Sequence, residues 1–484
     1  MVNDIQVRHN SRFHMDKGLF IFSSLLCVLL IAYVWANNFK EIWLMNALLI
    51  AMFCVCVHVQ IKQKTYGTLF FYATYFLFLL STVFLGLFKL DYKYQFYNAE
   101  AEIFALNCLV LGIVGVYIGT FLNVRITMGK IYKDRRIRFL SYSPKLQQFL
   151  KYAFCISVQC SLVEALVKAV YVGANSYVAY YSDFQTPLPY AVRWISQVST
   201  ILFYFYLGTL PDKRNAKVPC FLYLLVGVVA LLYGQRNVLV IRTLIIICYC
   251  FVRNRHVNEK ETWISQKQIV VLVALIPVAV MFMSFWNSYR FDNQYESKGL
   301  VDSVIEGLLE QGHDISILDY EYELGDMLQD KPYAIGGIIG LLRNNILSRL
   351  LGFSPVPTQQ NTVDMAINGY SYCGALMYFQ NRNGYLMGFG IGSCYLAELF
   401  DTFGFAGVLF GSILYGLILK KLTTFELKGF IANGFALEMF QNLLMAPRAM
   451  FDGFISSTFQ ISFLFCAIIC WGLSKYVWPG NKDE

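Results

Sequence analysis

The sequence predicts an all-α polytopic membrane protein, and its composition and hydropathy both indicate that class. Of its 484 residues, 57% are hydrophobic, 17% are aromatic and only 14% are charged, and the mean hydropathy is +0.50. A soluble domain carries about 25% charged residues, so a chain this poor in charge could not cover its surface in water. The composition therefore argues against a soluble globule, a disordered chain and a nucleic-acid-binding protein.

Twelve apolar runs are each close to the roughly 20 residues that a helix needs to cross the hydrocarbon core. They lie at 18–36, 42–60, 67–88, 101–124, 151–172, 190–210, 219–235, 237–252, 269–286, 404–419, 430–447 and 455–474. No small-residue cleavage site follows the first run, so we expect a retained span and not a removed signal peptide.

The distribution of Lys and Arg predicts the orientation of these spans. With the N-terminus inside, the inner segments hold 25 Lys and Arg, whereas the short outer loops hold only five. Positive charge accumulates on the cytoplasmic side of membrane proteins. We therefore expect both termini in the cytoplasm and an even number of spans.

One long segment interrupts the pattern of short connections and is predicted to lie on the outer side. Its stretch 287–389 carries twelve Asp and Glu against six Lys and Arg, and long connections in compact bundles are usually functional. Two of its apolar stretches, 334–353 and 391–403, are predicted to be interfacial helices. The chain thus divides into residues 1–286 with spans 1 to 9, a large outer loop at 287–403, and residues 404–484 with spans 10 to 12.

Ionisable residues inside spans are functional candidates, because the bilayer penalises buried charge. Glu164 and Lys168 are four residues apart on one predicted helix, so we expect them to pair. Arg242 and Glu438 lie at a similar depth in the outer half, and we expect them to pair across helices. Cys373 and Cys394 lie outside the spans, and whether they form a disulfide is left open.

Three arginines are predicted at the outer ends of spans: Arg236 in YGQRN, Arg448 in APRAMFDG, and Arg193. Guanidinium groups suit phosphate oxygens because they offer a planar fork of donors. Three of them at one depth would form a cationic floor. The alternative is that each side chain snorkels to lipid head groups.

A general base is expected among the polar residues of the outer loop. His313, in EQGHDIS, is the only one of five histidines predicted to face outside, and histidine can take a proton near neutral pH. Asp314, Glu398 and Asp401 are competing bases, and His313 could also be incidental. The sequence contains no DxD, HExxH or CxxC pattern, so no metal site is predicted.

Several short motifs, together with the topology, resemble the Wzy-type O-antigen and capsular polysaccharide polymerases. These motifs are the turn Gly234-Gln235-Arg236, the segment GFGIGSCYLAELFDTFGFAGVLFGSILYG (388–416), the segment ILSRLLGFSPVP (346–357), and Pro447-Arg448 at the end of the eleventh span. The proline that precedes the arginine of the second segment in many members is absent before Arg349. The resemblance covers roughly residues 225–455.

The resemblance implies a glycosyltransferase-C-like membrane fold in the bacterial inner membrane. It implies an enzyme that joins oligosaccharide repeat units carried on undecaprenyl diphosphate, with these lipid-linked units as donor and acceptor and a chain-length regulator as a further partner. No cofactor is expected. Arg290, Arg343 and Arg349 join Arg236, Arg448 and Arg193 as candidate diphosphate ligands.

Two other functions remain open from the sequence. An O-antigen ligase, which moves finished polymer onto a lipid A core, would share the outer arginines and the large loop. A flippase for lipid-linked oligosaccharide would need charges along a path through the bilayer and often has repeated halves, whereas here charge collects in the outer half.

Overall fold

The computed structural model describes residues 17–36, 42–63, 65–128, 143–175, 179–180, 184–256, 262–290, 299–422 and 429–478, and every regular element in these ranges is helical. The helices up to residue 290 are α1 (Lys17–Ala36), α2 (Ile42–Gln63), α3 (Tyr66–Gly86), α4 (Ala99–Met128), α5 (Pro144–Ala174), α6 (Tyr190–Gln197), α7 (Ser199–Gly208), α8 (Lys213–Leu232), α9 (Arg236–His256) and α10 (Gln266–Arg290). The outer loop contains α11 (Leu300–Gly312), α12 (Ser316–Leu324), α13 (Gly336–Arg343), α14 (Ile346–Leu350), α15 (Val363–Asn368), α16 (Tyr372–Gln380) and α17 (Arg382–Leu386). The last helices are α18 (Tyr395–Leu422), α19 (Phe430–Met445), α20 (Gly453–Ser456) and α21 (Ile461–Gly472).

Each of the twelve predicted spans coincides with a helix or with a pair of consecutive helices. Among the described residues, seven helices are long and apolar enough to cross a membrane: α2, α3, α4, α5, α8, α9 and α18. The sixth predicted span is divided into α6 and α7 at Val198, and α19 has only 16 residues. The chain is therefore a multi-pass helical membrane protein, and the count of twelve crossings stays a prediction.

The centre of the bundle is the packing of α4 against α18. In the most apolar stretch of α4, 89% of the residues are buried. A Cβ atom on Gly119 would lie 2.1 Å from the carbonyl oxygen of Ile413, and one on Gly416 would lie 2.2 Å from that of Val116. Glycine at these positions lets the two backbones approach more closely than side chains would allow, as is common between membrane helices.

Several contacts join segments that the sequence predicts on the same side of the membrane. On the predicted inner side, Arg253 donates to the carbonyl oxygen of Pro211 and Lys420 donates to that of Thr120. On the predicted outer side, residues 94–98 and 448 contact the loop helices. The terminal residues 1–16 and 479–484 lie outside the described ranges.

The predicted interfacial helices differ in detail from the observed ones. The segment 391–403 matches the first part of α18, a helix that begins at Tyr395 and is separated from the second part of α18 by non-helical backbone angles at Gly404, where φ is +64°. The two parts pack against each other, with the rings of Tyr395 and Tyr415 stacked at 4.9 Å. The segment 334–353 is divided at Asn344 and Asn345. The amide oxygen of Asn345 accepts a hydrogen bond from the Ser348 N–H at 2.8 Å, which starts α14 anew.

The predicted ion pairs have different outcomes. The pair between Glu164 and Lys168 is confirmed, with 2.8 Å between carboxylate and ammonium. The pair between Arg242 and Glu438 is wrong: Arg242 donates to the carbonyl oxygen of Tyr223 at 2.6 Å and lies over its ring. The thiols of Cys373 and Cys394 are free, so no disulfide joins them.

The close approach of α4 and α18 makes a prediction about stability. Gly416→Ala should lower the melting temperature of the detergent-solubilised protein, because its Cβ would overlap the Val116 carbonyl and overpacking costs about 1–3 kcal/mol. Gly472→Ala is the matched control, since no atom lies within 4 Å of its added Cβ. Equal melting temperatures for the two variants would contradict this account of the interface.

Candidate functional site

A cavity of about 340 Å³ lies where three segments that are distant in the sequence meet. It is lined by Arg236, Leu309, Glu310, Gln311, His313 and Arg448. Two arginines and one histidine that sequence analysis singled out separately therefore share one hollow.

Arg236 is positioned by the tight connection between α8 and α9. Gly234 has a φ of +87°, a left-handed conformation that glycine adopts without strain. The turn closes with a hydrogen bond from the Gln235 N–H to the carbonyl of Ala230 at 3.0 Å. Arg236 is consequently the first residue of α9, and its side chain is only 12% exposed.

Arg448 lies in a 3₁₀ turn that follows the end of α19 at Met445. Its Nε is 3.3 Å from Oδ2 of Asp314, and its guanidinium carbon is 5.6 Å from the centre of the Phe78 ring. Phe78 belongs to a π-helical turn within α3, at residues 76–80. Single π turns inside α-helices occur frequently at functional sites.

His313 directly follows α11 and faces the cavity. Gly312 allows this placement, because a Cβ there would lie 2.1 Å from the hydroxyl oxygen of Ser81 in α3. The same hydroxyl donates to the carbonyl oxygen of Leu308 at 2.9 Å, which anchors the end of α11. The His313 ring contacts Tyr94 edge to face at 5.3 Å. Partial burial lowers the pKa of His313 although the residue keeps some contact with solvent, so its neutral, proton-accepting form predominates at pH 7.

Each cavity arginine faces a carboxylate, so the cavity is not a floor of unopposed cations. Glu310 lies 4.0 Å from Arg236, and Asp314 contacts Arg448. Burial raises the pKa of Asp314 to about 6, although Arg448 and Arg236 oppose that shift. Asp314 is therefore mainly ionised at pH 7, and the two acids largely balance the charge of the two arginines.

The other predicted arginines do not line the cavity. Arg193 interacts electrostatically with Glu164, and its guanidinium lies 5.6 Å from the ring of Tyr190. Arg343 and Arg349 are exposed on α13 and α14. The side chain of Arg290 lies outside the described residues.

Glu398 and Asp401 do not line the cavity either. Glu398 is only 2% exposed, and both of its carboxylate oxygens accept hydrogen bonds, from Ser393 Oγ at 2.6 Å and from the Phe451 N–H at 2.8 Å. Since Phe451 follows Arg448 by three residues, Glu398 holds the backbone that carries the arginine. Asp401 is partly buried one turn further along α18.

Sequence analysis missed the acidic partners and the aromatic support of the site. Glu310 lies three residues before His313, a helical spacing that places both on one side of α11. Asp314 was considered only as a competing base. No local pattern in the sequence indicates that Phe78 or Tyr94 lies beside the cavity, because both come from distant segments.

Comparison with known proteins places the whole chain in one family. The family model for the O-antigen polysaccharide polymerase Wzy matches residues 19–479. Comparisons with the curated proteins and with the solved structures give no significant match. A match over nearly the full length agrees with the multi-pass helical architecture and with the resemblance found in the motifs. The chain therefore belongs to the O-antigen polysaccharide polymerase Wzy family, whose members are membrane enzymes of polysaccharide biosynthesis.

Proposed function

We propose that this enzyme polymerises oligosaccharide repeat units linked to undecaprenyl diphosphate, at the outer face of the bacterial inner membrane. The observation that carries the proposal is the shared cavity of Arg236, Arg448 and His313. It combines groups able to hold a phosphate with a group able to accept a proton. In this proposal the chain crosses the membrane twelve times and both termini are cytoplasmic, which puts the cavity at the outer surface.

Arg236 and Arg448 bind the diphosphate of the donor in this proposal. The diphosphate competes with Glu310 and Asp314 for the two guanidiniums. Asp314 contacts Arg448 through Nε, so the two terminal nitrogens are suited to a bidentate contact with phosphate oxygens. Glu310 and Asp314 keep both arginines oriented before the substrate arrives. Charges that are already oriented stabilise a transition state effectively, because they need not reorganise during the reaction.

The proposed reaction is a direct displacement at the anomeric carbon of the donor glycan. A hydroxyl oxygen of the acceptor's terminal sugar forms the new bond to that carbon, and the bond from carbon to the diphosphate oxygen breaks. The hydroxyl proton moves to a ring nitrogen of His313, and undecaprenyl diphosphate leaves with the bonding electron pair. The arginines stabilise the negative charge that grows on the leaving oxygen, without a metal ion, and the configuration of the anomeric carbon inverts.

We assign His313 as the base and Glu398 as a positioning residue. His313 faces the cavity, and its lowered pKa keeps it ready to accept a proton. Glu398 is buried, and both of its oxygens are engaged. Asp401, Arg193, Arg343 and Arg349 lie away from the cavity lining, so no step is assigned to them.

Two alternative functions predict different products from the same cells. Loss of a polymerase leaves glycans of one repeat unit on the surface, whereas loss of an O-antigen ligase leaves finished polymer on the carrier lipid. A flippase would move substrate without forming a bond. The match to the polymerase family favours the first function. A chain-length regulator is proposed as a partner that sets the number of units joined.

The arginine roles can be tested in cells that lack the native gene. Arg236→Ala and Arg448→Ala should each lower the polymerisation rate about 100-fold, because each removes one preorganised donor group from the leaving diphosphate. Gel electrophoresis of surface glycans should show single repeat units in place of long chains. Arg382→Ala is the control, since Arg382 is exposed on the same loop away from the cavity. Long chains of normal abundance in both cavity variants would refute the diphosphate role.

The role of His313 makes a prediction about pH. With the purified enzyme, His313→Ala should lower the rate at pH 7 by about 100-fold or more, the range for loss of a general base. The wild-type rate should fall in acid only below pH ~6.5, the ordinary pKa of histidine. Because the pKa of His313 is lowered, its ring stays neutral and able to accept a proton down to that pH. Asp314→Asn should show the same fall in rate at low pH as the wild type, although it removes the carboxylate that contacts Arg448. A His313→Ala enzyme with the wild-type rate and profile would exclude this base.

Glu398 allows a test that separates support from chemistry. Glu398→Leu removes both acceptors and leaves the buried N–H of Phe451 and the hydroxyl of Ser393 without this partner, at a cost of about 1–3 kcal/mol. We expect a lower melting temperature, a moderate loss of rate and an unchanged acid limb. A rate loss as large as that of His313→Ala, at an unchanged melting temperature, would instead make Glu398 the base.

A further inference from the structure

A second polar surface adjoins the cavity on the outer side, where the segment 94–100 lies against α12; we name it the outer seam. Tyr94 Oη donates to Asp319 Oδ2 at 2.9 Å, and the backbone N–H of Tyr97 donates to Asp319 Oδ1 at 3.2 Å. Further along, Asn98 donates to Glu323 and Tyr322 donates to Glu100, both at 2.8 Å. These four bonds hold the seam in one arrangement before any ligand binds.

The outer seam presents aromatic rings that the protein leaves partly uncovered. Tyr97 is 60% exposed and Tyr322 is 38% exposed. The ring of Tyr320 is partly buried and lies 6.3 Å from that of Tyr97, centre to centre, at a tilt of 59°. The adjacent rings of Tyr97 and Tyr320 are therefore fixed beside the exposed carboxylates of Glu323 and Glu100.

The outer seam is continuous with the cavity through Tyr94. The Tyr94 ring contacts His313 on one side, while its hydroxyl bonds to Asp319 on the other. Asp319 and Tyr320 follow His313 by six and seven residues. At a helical rise of 1.5 Å per residue this separation is about 10 Å, so a chain of a few sugar rings with one end at His313 would reach them.

The chemistry of the outer seam suits a glycan better than a phosphate. Sugar rings offer C–H faces that pack on tyrosine rings and hydroxyl groups that donate to carboxylates. The exposed carboxylates of Glu323 and Glu100 make the surface acidic, whereas Asp319 is buried and holds Tyr94 and Tyr97 in place. The neighbouring Lys93 does not offset the two exposed carboxylates, since it is paired with Glu102 at 2.5 Å. Such a surface repels phosphates and anionic lipid head groups.

We propose that the outer seam binds the glycan of the acceptor, with the terminal sugar at His313 and the following neutral or amino sugars along Tyr97 and Tyr320. This inference rests on the proposed function, because it names which of the two glycans occupies this surface. The donor diphosphate binds at Arg236 and Arg448 in the cavity that His313 also lines. The two substrates then meet at His313, which lines the cavity and contacts Tyr94 of the outer seam.

The test uses the full chain in detergent and a lipid-free probe. The probe is the repeat-unit oligosaccharide released by mild acid from the carrier lipid of cells that lack this enzyme. Saturation-transfer difference NMR measures its binding. The double variant Tyr97→Ala with Tyr320→Ala should weaken binding about tenfold through loss of two ring contacts. Tyr97→Phe keeps the ring and should bind as the wild type does.

Control variants separate this inference from the proposed function. Tyr152→Ala removes a tyrosine of similar exposure, 57%, far from the outer seam, and should not change binding. Arg236→Ala should bind the probe normally even where it abolishes polymerisation. The inference would be overturned if the double variant bound the probe as tightly as the wild type, or if the wild type did not bind it. It would also be overturned if Tyr152→Ala weakened probe binding as much as the double variant does. Normal probe binding by an enzyme without polymerase activity would leave this subsite standing and remove the proposed function.

Discussion

The contact between Arg448 and Asp314 is the interaction on which the cavity depends. It joins the turn after α19 to the corner between α11 and α12, and these two segments are more than 130 residues apart in the sequence. Asp314 is buried, and a buried carboxylate is unfavourable unless a cation and hydrogen-bond donors compensate for its lost hydration. The arginine therefore keeps the acid ionised, while the acid keeps the arginine beside His313.

The surroundings of this contact limit how far it can move. Glu398, in the part of α18 before Gly404, accepts a hydrogen bond from the backbone N–H of Phe451. Tyr415, in the part after Gly404, donates to the carbonyl oxygen of Phe451 at 2.5 Å. Both bonds attach the turn that carries Arg448 to the central helix. That helix is in turn packed on α4 at glycine contacts with no spare room. The position of a surface arginine is thus determined by close packing within the bundle.

The balance of charge in the cavity has a functional consequence. Bare arginines at a membrane surface would attract any anionic head group, because opposite charges attract strongly where water is scarce. Glu310 and Asp314 lower this attraction, so the cavity favours a ligand that contacts both guanidiniums together. A diphosphate meets that requirement, since its oxygens extend over two phosphorus atoms. Under the proposed function, the acidic outer seam would favour sugar hydroxyls over phosphates and so would separate the two binding surfaces further.

The membrane class could be predicted from the amino-acid sequence, as could the helical segments and an expected orientation, because apolar runs and the placement of Lys and Arg are local properties of the chain. The pair formed by Glu164 and Lys168 was predictable for the same reason, since helical spacing alone brings these side chains together. Arg236, Arg448 and His313 were found as separate candidates. Only the tertiary structure decided that these three share a cavity, that Glu310 and Asp314 balance its arginines, and that Arg193, Arg343 and Arg349 lie elsewhere. Those relations arise from packing between distant helices, and no pattern within one segment records which helices will meet.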